Sequence, residues 1–327
     1  MRIFLTGATG FLGSHGADRF SERGHQLSTL VRKSSHTDHL RSLGVTLVEG
    51  ALPNAGRLAP ALAGLDAVVH VAGAVQAKNR AEFLAVNEMG TRHLVQEALA
   101  ADPPPKFFLH ISTIAVHRPN AGNHFTLQPE ECRPLSHYGE SKRRAELALR
   151  DLSGKIPYAI LRPPVLYGPR DREFLPLFKA VRFGIAPLLG RGRSRLSACY
   201  GPDVAEAMVR LTENPPPDGT IFTLDDGGIH TWRDLARAIG QAVGKSPTLL
   251  PCPKWLYYLA AAGSELKIKI TGRPDVFTLN KMRELTAEPW VCGREKLKQH
   301  LNWVPMTPLL EGMRLTWRDY QEQGLFS

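Results

Sequence analysis

The sequence predicts an α/β chain: a doubly wound parallel sheet with helices on both faces, followed by a smaller C-terminal α/β portion. Three observations lead there. Short apolar runs alternate with longer helical patterns through the first half, which is how βαβ units read. Residues 67–71 (AVVHV) are apolar almost throughout, as suits a parallel strand covered on both faces. After Arg162 the pattern changes, broken by Pro163, Pro164, Pro169, Pro176 and Pro187.

Taken in order, residues 2–6 read as a strand and 11–23 as a helix, closed by Gly24, a residue that tolerates left-handed backbone. Residues 27–31 and 46–48 read as further strands, with 67–71 as the next. Residues 83–100 fit one long helix, with Leu94, Val95, Ala98 and Leu99 on its inner side. Residues 107–111 and 159–161 complete the set of strands. The runs Pro103–Pro105 and Pro215–Pro217 each follow a helical pattern and precede a strand, so both mark surface connections. Residues 203–211 and 220–224 read as a helix and a strand that return to the first part. Thr231 is placed to cap the next helix, with Asp234 at its third position. Thr307-Pro308 reads as another helix start.

Composition excludes several classes. The chain has 327 residues, 43% hydrophobic and 22% charged, as in a globular protein with more than one compact part. Its formal charge of +10 comes from dispersed Lys and Arg with no long block, so a generally basic surface is expected, not a nucleic-acid groove. Cys132, Cys199, Cys252 and Cys292 lie far apart with no CxxC pair. Neither a disulfide framework nor a zinc site is expected, and the thiols fit a reducing compartment. There is no basic-then-apolar leader and no apolar run of membrane-spanning length. These features predict a cytoplasmic protein without an integral membrane segment or a nucleic-acid partner; a small-molecule substrate and a homodimer are further expectations.

Three segments carry chemistry. In Thr6-Gly7-Ala8-Thr9-Gly10-Phe11-Leu12-Gly13 the glycines Gly7, Gly10 and Gly13 follow a strand and open a helix. That arrangement lets the backbone approach a pyrophosphate at a helix N-terminus. In Tyr138-Gly139-Glu140-Ser141-Lys142 a phenol and an ammonium share a helix face. A cation there is expected to lower the phenol pKa and fit it for proton transfer. Ser112-Thr113 ends a strand, at the sheet edge where ligands of open α/β folds bind.

The motifs TGATGFLG, HVAG, Val86-Asn87, ISTIAV, YGESK and LRPPVLYGP occur together in this order. In this the chain resembles the extended short-chain dehydrogenase/reductases of the NAD-dependent epimerase/dehydratase family, specifically over residues 1–170 and weakly through RLSACYGPDVAEAM. In look it is similar to the dihydroflavonol reductase and 3β-hydroxysteroid dehydrogenase members. The resemblance implies a Rossmann fold over residues 1–165, rejoined by about 197–228, with 166–327 mainly binding substrate. It implies a catalytic set of Thr113, Tyr138 and Lys142, Thr113 rather than Ser112 by alignment on the following Ala-Val. It implies a cofactor site of Gly7, Thr9, Gly10, Phe11, Leu12, Gly13, Arg32, Lys33, Val71, Ala72, Gly73, Asn87, Pro163 and Val165.

Departures from the family narrow the choice. Ala51 stands where an adenine-contacting Asp is usual. His117-Arg118 replaces Tyr-Gly, and that His reads as a packing substitution. Ile114 lies where dehydratases carry an acid, which disfavours dehydration. Val165 replaces an Asn of many nucleotide-sugar epimerases. Arg32 and Lys33 follow the second strand, where an acid would select NAD. A guanidinium there suits the 2′-phosphate of NADP, so NADP is expected, with NAD as the alternative cofactor. The expected reaction is hydride transfer between nicotinamide and a carbonyl or secondary alcohol. A nucleotide-sugar epimerase with retained NAD is the alternative, and a non-catalytic dinucleotide-binding protein the third reading. Arg191, Arg193 and Arg195 are candidates for an anionic substrate group, and Trp255 to Leu259 for an apolar pocket wall.

Overall fold

A computed structural model describes the chain except residues 53, 55, 121–123, 276 and 327. The first half runs β1 (Arg2–Thr6), α1 (Phe11–Glu22), β2 (Gln26–Val31), α2 (Asp38–Ser42), β3 (Thr46–Glu49), α3 (Ala59–Leu62) and β4 (Ala67–His70). It continues through α4 (Arg80–Phe83), α5 (Gly90–Ala100), β5 (Phe108–Ile111), α6 (His137–Ala148), β6 (Tyr158–Arg162) and β7 (Val165–Tyr167). The second half comprises α7 (Leu175–Arg182), β8 (Ile185–Leu189), β9 (Arg195–Leu196), β10 (Ala198–Tyr200), α8 (Gly201–Glu213) and β11 (Thr220–Thr223). It ends with β12 (His230–Thr231), α9 (Trp232–Val243), β13 (Thr248–Cys252), α10 (Lys254–Thr271), α11 (Leu279–Thr286), α12 (Glu295–Leu301) and α13 (Leu309–Glu322).

Seven strands form one parallel sheet in the order β11-β6-β5-β4-β1-β2-β3. Its central strands are apolar on both sides because helices cover both faces; every residue of β4, β5 and β6 is buried. One core lies on the α1/α8 face, built on Leu5, Phe20, Val69, Leu109 and Met208. The other lies on the α5 face, built on Phe4, Val68, Leu94, Val95 and Phe108. β10, α8 and β11 come back from the second half. β10 pairs with β7, α8 packs along α1, and β11 becomes the edge strand beside β6. From the second half, α7, β8, α9 and α13 close with β7 and β10 around a third core of Tyr167, Phe178, Leu235, Ile239, Met313 and Tyr320, while Leu297 of α12 joins the first core.

Local chemistry explains the boundaries. Gly24 has φ +75° just past α1. Thr231 and Asp234 form a reciprocal capping box on α9, and Pro308 precedes α13. Two expectations need correction. The proline runs are not wholly superficial, since Pro105 and Pro216 are buried. Residues 83–100 are not one α-helix, because Leu84–Met89 winds as a π-helix between α4 and α5. The wider turn resets the phase of the helix while Leu94, Val95 and Ala98 still reach the core. Such turns are frequent at functional sites.

Candidate active site

The strand order reverses at β1, which pairs with β2 on one side and β4 on the other. Open α/β sheets bind ligands in the crevice beyond such a point. The loops leaving β1 and β4 meet there backbone to backbone. Gly7 has φ +76°, and a Cβ on it would lie 2.7 Å from Ala72 N; a Cβ on Gly13 would lie 2.0 Å from the Gly7 carbonyl oxygen. Both positions therefore exclude any side chain. Gly10 caps α1 without a side-chain acceptor, leaving the first-turn N–H groups to an anion. A cleft of about 200 Å³ opens in front of them, lined by Ala8, Thr9, Gly10, Phe11, His39 and Arg170 among others. Leu12 turns into the core. This cradle fits the pyrophosphate of a dinucleotide.

Arg32 and Lys33 follow β2 and are exposed. Lys33 lies 3.5 Å from Glu49, an acid that the β2–β3 register sets beside Val31. Linear sequence shows no acid at this edge; the sheet brings one. Arg32 has no ion-pair partner among the described residues, and its backbone N–H donates to Ser35 Oγ at 3.2 Å.

Thr113, Tyr138 and Lys142 come together beyond the end of β5. Ser136 caps α6 by accepting the Gly139 N–H at 2.9 Å, which sets Tyr138 in the first turn. Gly139 must be glycine because a Cβ there would lie 2.2 Å from the Ala115 carbonyl oxygen. That close approach packs the first turn of α6 against the loop after β5 that carries Thr113, whose Oγ1 accepts the Ala115 N–H at 3.2 Å. Ser112 Oγ, the neighbouring hydroxyl, is buried with no partner among the described residues. Lys142 Nζ donates to the Ile111 carbonyl at 2.7 Å. Burial lowers its pKa to about 8, against the opposing pull of Glu146.

The π turn supplies the fourth polar group. Asn87 Oδ1 accepts from Ala74 N at 2.7 Å, while Nδ2 donates to Ala74 O at 3.0 Å and Ser141 Oγ at 2.8 Å. It thereby ties the β4 loop to the helix of Tyr138 and Lys142. Gly73 lies in the same corner; a Cβ there would meet Asn87 Oδ1 at 3.1 Å and Lys142 Nζ at 3.7 Å. Val71 and Ala72 continue this loop. Pro163 accepts the Ile114 N–H through its carbonyl at 3.1 Å, and Val165 begins β7 on the same side.

One electrostatic expectation differs in the structure. The Tyr138 pKa is raised, not lowered, by burial first and then by Glu284 and Glu173, against the opposing pull of Thr113. A phenolate is costly in a desolvated site faced by carboxylates.

Sequence reasoning missed α11 altogether. Lys281 Nζ lies 5.9 Å from the Tyr138 ring centre and pairs with Glu284 at 2.6 Å. Glu284 also accepts from Ser136 Oγ at 2.7 Å, and Asn280 Oδ1 accepts the His137 N–H at 2.6 Å. A small pocket beside Tyr138 is walled by Val75, Phe83, Asp275, Thr278, Asn280 and Lys281. No local motif marks these residues, which reach the site only through the path of the C-terminal chain.

The other singled-out residues lie elsewhere. His117 is buried, accepts from Arg162 at 2.8 Å and has its pKa lowered to about 3 by burial and by Arg162. It is a packing group within a buried network, with Arg162 bonded to both Glu146 oxygens at 2.9 and 2.7 Å. Arg191, Arg193 and Arg195 are exposed around the β8–β9 turn. Trp255, Leu256 and Leu259 point outward from α10, while Tyr257 stacks on Phe277 and the Tyr258 hydroxyl bonds Thr286 Oγ1 at 3.2 Å. The four cysteines are free, and the described residues hold no cluster of metal-ligating side chains.

Comparison with known proteins agrees with this geometry. The model of the NAD dependent epimerase/dehydratase family matches residues 3–224. A ceramide reductase of Caulobacter vibrioides is 31% identical over 316 residues, covering 95% of this chain and 88% of that protein. A UDP-glucose 4-epimerase of Vibrio cholerae is 26% identical over 327 residues, covering 96% and 94%. The solved UDP-glucuronic acid 4-epimerase of Bacillus cereus superposes with a TM-score of 0.77 at 21% identity, covering 99% of this chain and 100% of that one. The chain thus belongs to the NAD-dependent epimerase/dehydratase family and is an enzyme of the extended short-chain dehydrogenase/reductase type.

Proposed function

We propose that the protein is an NADP-dependent reductase or dehydrogenase that interconverts a carbonyl and a secondary alcohol. The observation that carries this reading is the packing of Tyr138 and Lys142, one turn apart on α6, against the loop of Thr113, with Lys142 beside Gly73 at the dinucleotide crevice. In this reading residues 1–165, rejoined by about 197–228, hold the dinucleotide, and 166–327 mainly hold substrate. The cofactor, when bound, supplies or accepts the hydride. Tyr138 gives its hydroxyl proton to the substrate oxygen in reduction and takes it back in oxidation. Thr113 holds that oxygen by hydrogen bond. Lys142, anchored by Ile111, is placed beside Gly73 to bind the nicotinamide ribose and to favour the phenolate once the proton has left. Asn87 keeps the β4 loop and α6 in register. Arg32 would meet the ribose 2′-phosphate as a planar fork, with Lys33 secondary because Glu49 already engages it. The resemblance to a ceramide reductase supports a substrate whose reacting oxygen is carried on an otherwise apolar molecule.

The test is turnover of a panel of carbonyl compounds and nucleotide sugars, with NADPH and NADH added separately. Steady-state oxidation of NADPH by a carbonyl compound supports the reading. Epimerisation of a nucleotide sugar, with NAD retained through gel filtration, refutes it in favour of the function named for the Vibrio cholerae relative.

A further inference from the structure

Helix α10 carries large apolar side chains on the side that faces away from the protein. Trp255, Leu259, Leu266 and Ile270 are 66%, 62%, 59% and 77% exposed. Their positions recur at steps of four, seven and four, so at roughly 100° per residue they form one stripe. The opposite side is the packed one, with Ala261 and Ile268 buried and Tyr257 against Phe277. The helix therefore has two apolar faces, and only one is satisfied by the fold.

The flanks of the open face are cationic. On the same helical count Lys269 falls to one side of the stripe and Lys267 to the other. Lys254 opens the helix, Arg273 lies just beyond it, and all four are exposed. The helix's one acid, Glu265, is turned inward and accepts the Leu279 N–H at 3.1 Å. Asp275 lies 3.1 Å from Lys267 and offsets that charge alone. The chain as a whole carries +10.

We propose that this face of α10 docks on the surface of an anionic lipid bilayer. The stripe would sink to the boundary between headgroups and acyl chains, with Trp255 at the interface and the lysine heads reaching out to lipid phosphates. None of the described helices is long and apolar enough to cross a membrane, so the helix lies on the surface. A second copy of this chain suits the face less well, because self-pairing would set cationic flanks together with no outward acid to neutralise them. Since α11 follows α10 and lays Lys281 on Tyr138, docking puts the roof of the catalytic residues at the lipid surface. The proposal does not depend on which cofactor is used or which oxygen is reduced.

Co-sedimentation of the full chain with large vesicles tests it. One set is equal parts phosphatidylcholine and phosphatidylglycerol, the other phosphatidylcholine alone, each at low and high salt. The protein should pellet with the anionic set and bind roughly tenfold less to the neutral set or at high salt. Leu259→Ser/Ile270→Ser should lose pelleting while thermal stability and cofactor binding stay as in the wild type, since both side chains lie in solvent. Lys269→Gln/Arg273→Gln should weaken binding to the anionic set only. Wild-type protein left in the supernatant, equal binding to both vesicle sets, or an unaffected Ser variant overturns the proposal. So does a wild-type dimer that the Ser variant converts to monomer, which would make the face a contact between copies.

Discussion

Of the four histidines buried among the described residues, three sit deepest, at 3% exposure or less, where protonation has nowhere to go, and this bears on the acid tolerance of the fold. His70, His110 and His117 are 1%, 0% and 3% exposed. Burial, reinforced by Lys142 for His70 and by Arg162 for His117, lowers those two pKa values to about 3. His110 is driven well below its usual value by the same burial, with Lys142, His70 and Arg162 adding to it. An unfolded chain protonates these rings near pH 6.5, whereas the native chain does not until far lower. The unfolded state thus binds more protons throughout that window, and stability falls as pH drops below about 6.5. At pH 5.5 the loss is about 1.4 kcal/mol each for His70 and His117, roughly 3 kcal/mol together, with His110 acting in the same direction. That is a large share of a typical folding free energy of about 5–15 kcal/mol. The clean perturbation is His110→Leu, because neither ring nitrogen of His110 has a hydrogen-bond partner among the described residues. Urea unfolding of wild type and variant at pH 7.5 and 5.5 should show a shallower loss of stability in the variant and little difference at the higher pH. An identical pH dependence in both proteins would refute the assignment of the acid sensitivity to these buried rings.

Tyr138→Phe should lower turnover by about 10²–10⁴-fold while dinucleotide affinity, read by fluorescence titration, stays near wild type. Arg32→Ala should erase a preference for NADPH over NADH, a preference that should also shrink at high salt because the side chain is exposed; equal affinities in the wild type would count against NADP. Gly13→Ala places a methyl 2.0 Å from the Gly7 oxygen, so it should cost about 1–3 kcal/mol in stability and weaken cofactor binding, measured by thermal shift with and without dinucleotide. Arg162→Met alone should cost about 3–5 kcal/mol by stranding a buried Glu146, whereas the double variant Arg162→Met/Glu146→Leu should recover much of that loss in urea melts.

What could be read in the sequence was what local physics enforces. The glycine loop, the Tyr138/Lys142 pair and the strand that ends at Thr113 each sit within one turn or one strand end, and their types and spacing determine their geometry. Apolar runs such as Ala67–His70 need no tertiary information to be recognised as buried. What escaped depends on contacts between distant parts. Lys281, Asn280 and Glu284 reach Tyr138 through the trajectory of α10 and α11, which no periodicity encodes. Glu49 meets Lys33 only through sheet register. The Trp255–Leu259 segment has the composition of an interior helix, and composition cannot say which face a fold leaves uncovered. The direction of the Tyr138 shift also escaped, because spacing places Lys142 nearby but does not reveal the burial of the phenol or the approach of Glu284 and Glu173.

The π-helix at Leu84–Met89 gives this chain an unusual tolerance and an unusual weakness. A π turn is an α-helix with one residue too many, so its surplus is local. Removing a single residue between Leu84 and Met89 would let α4 and α5 join as an ordinary helix, with the core side chains Leu94, Val95 and Ala98 still facing the sheet. The protein should therefore survive that deletion as a folded molecule. Asn87, however, reaches Ala74 and Ser141 from within that turn, so the deletion should turn its side chain and slacken the tie between the β4 loop and α6. Stability and function would then come apart at one codon, yielding a sound scaffold with a loosened catalytic corner.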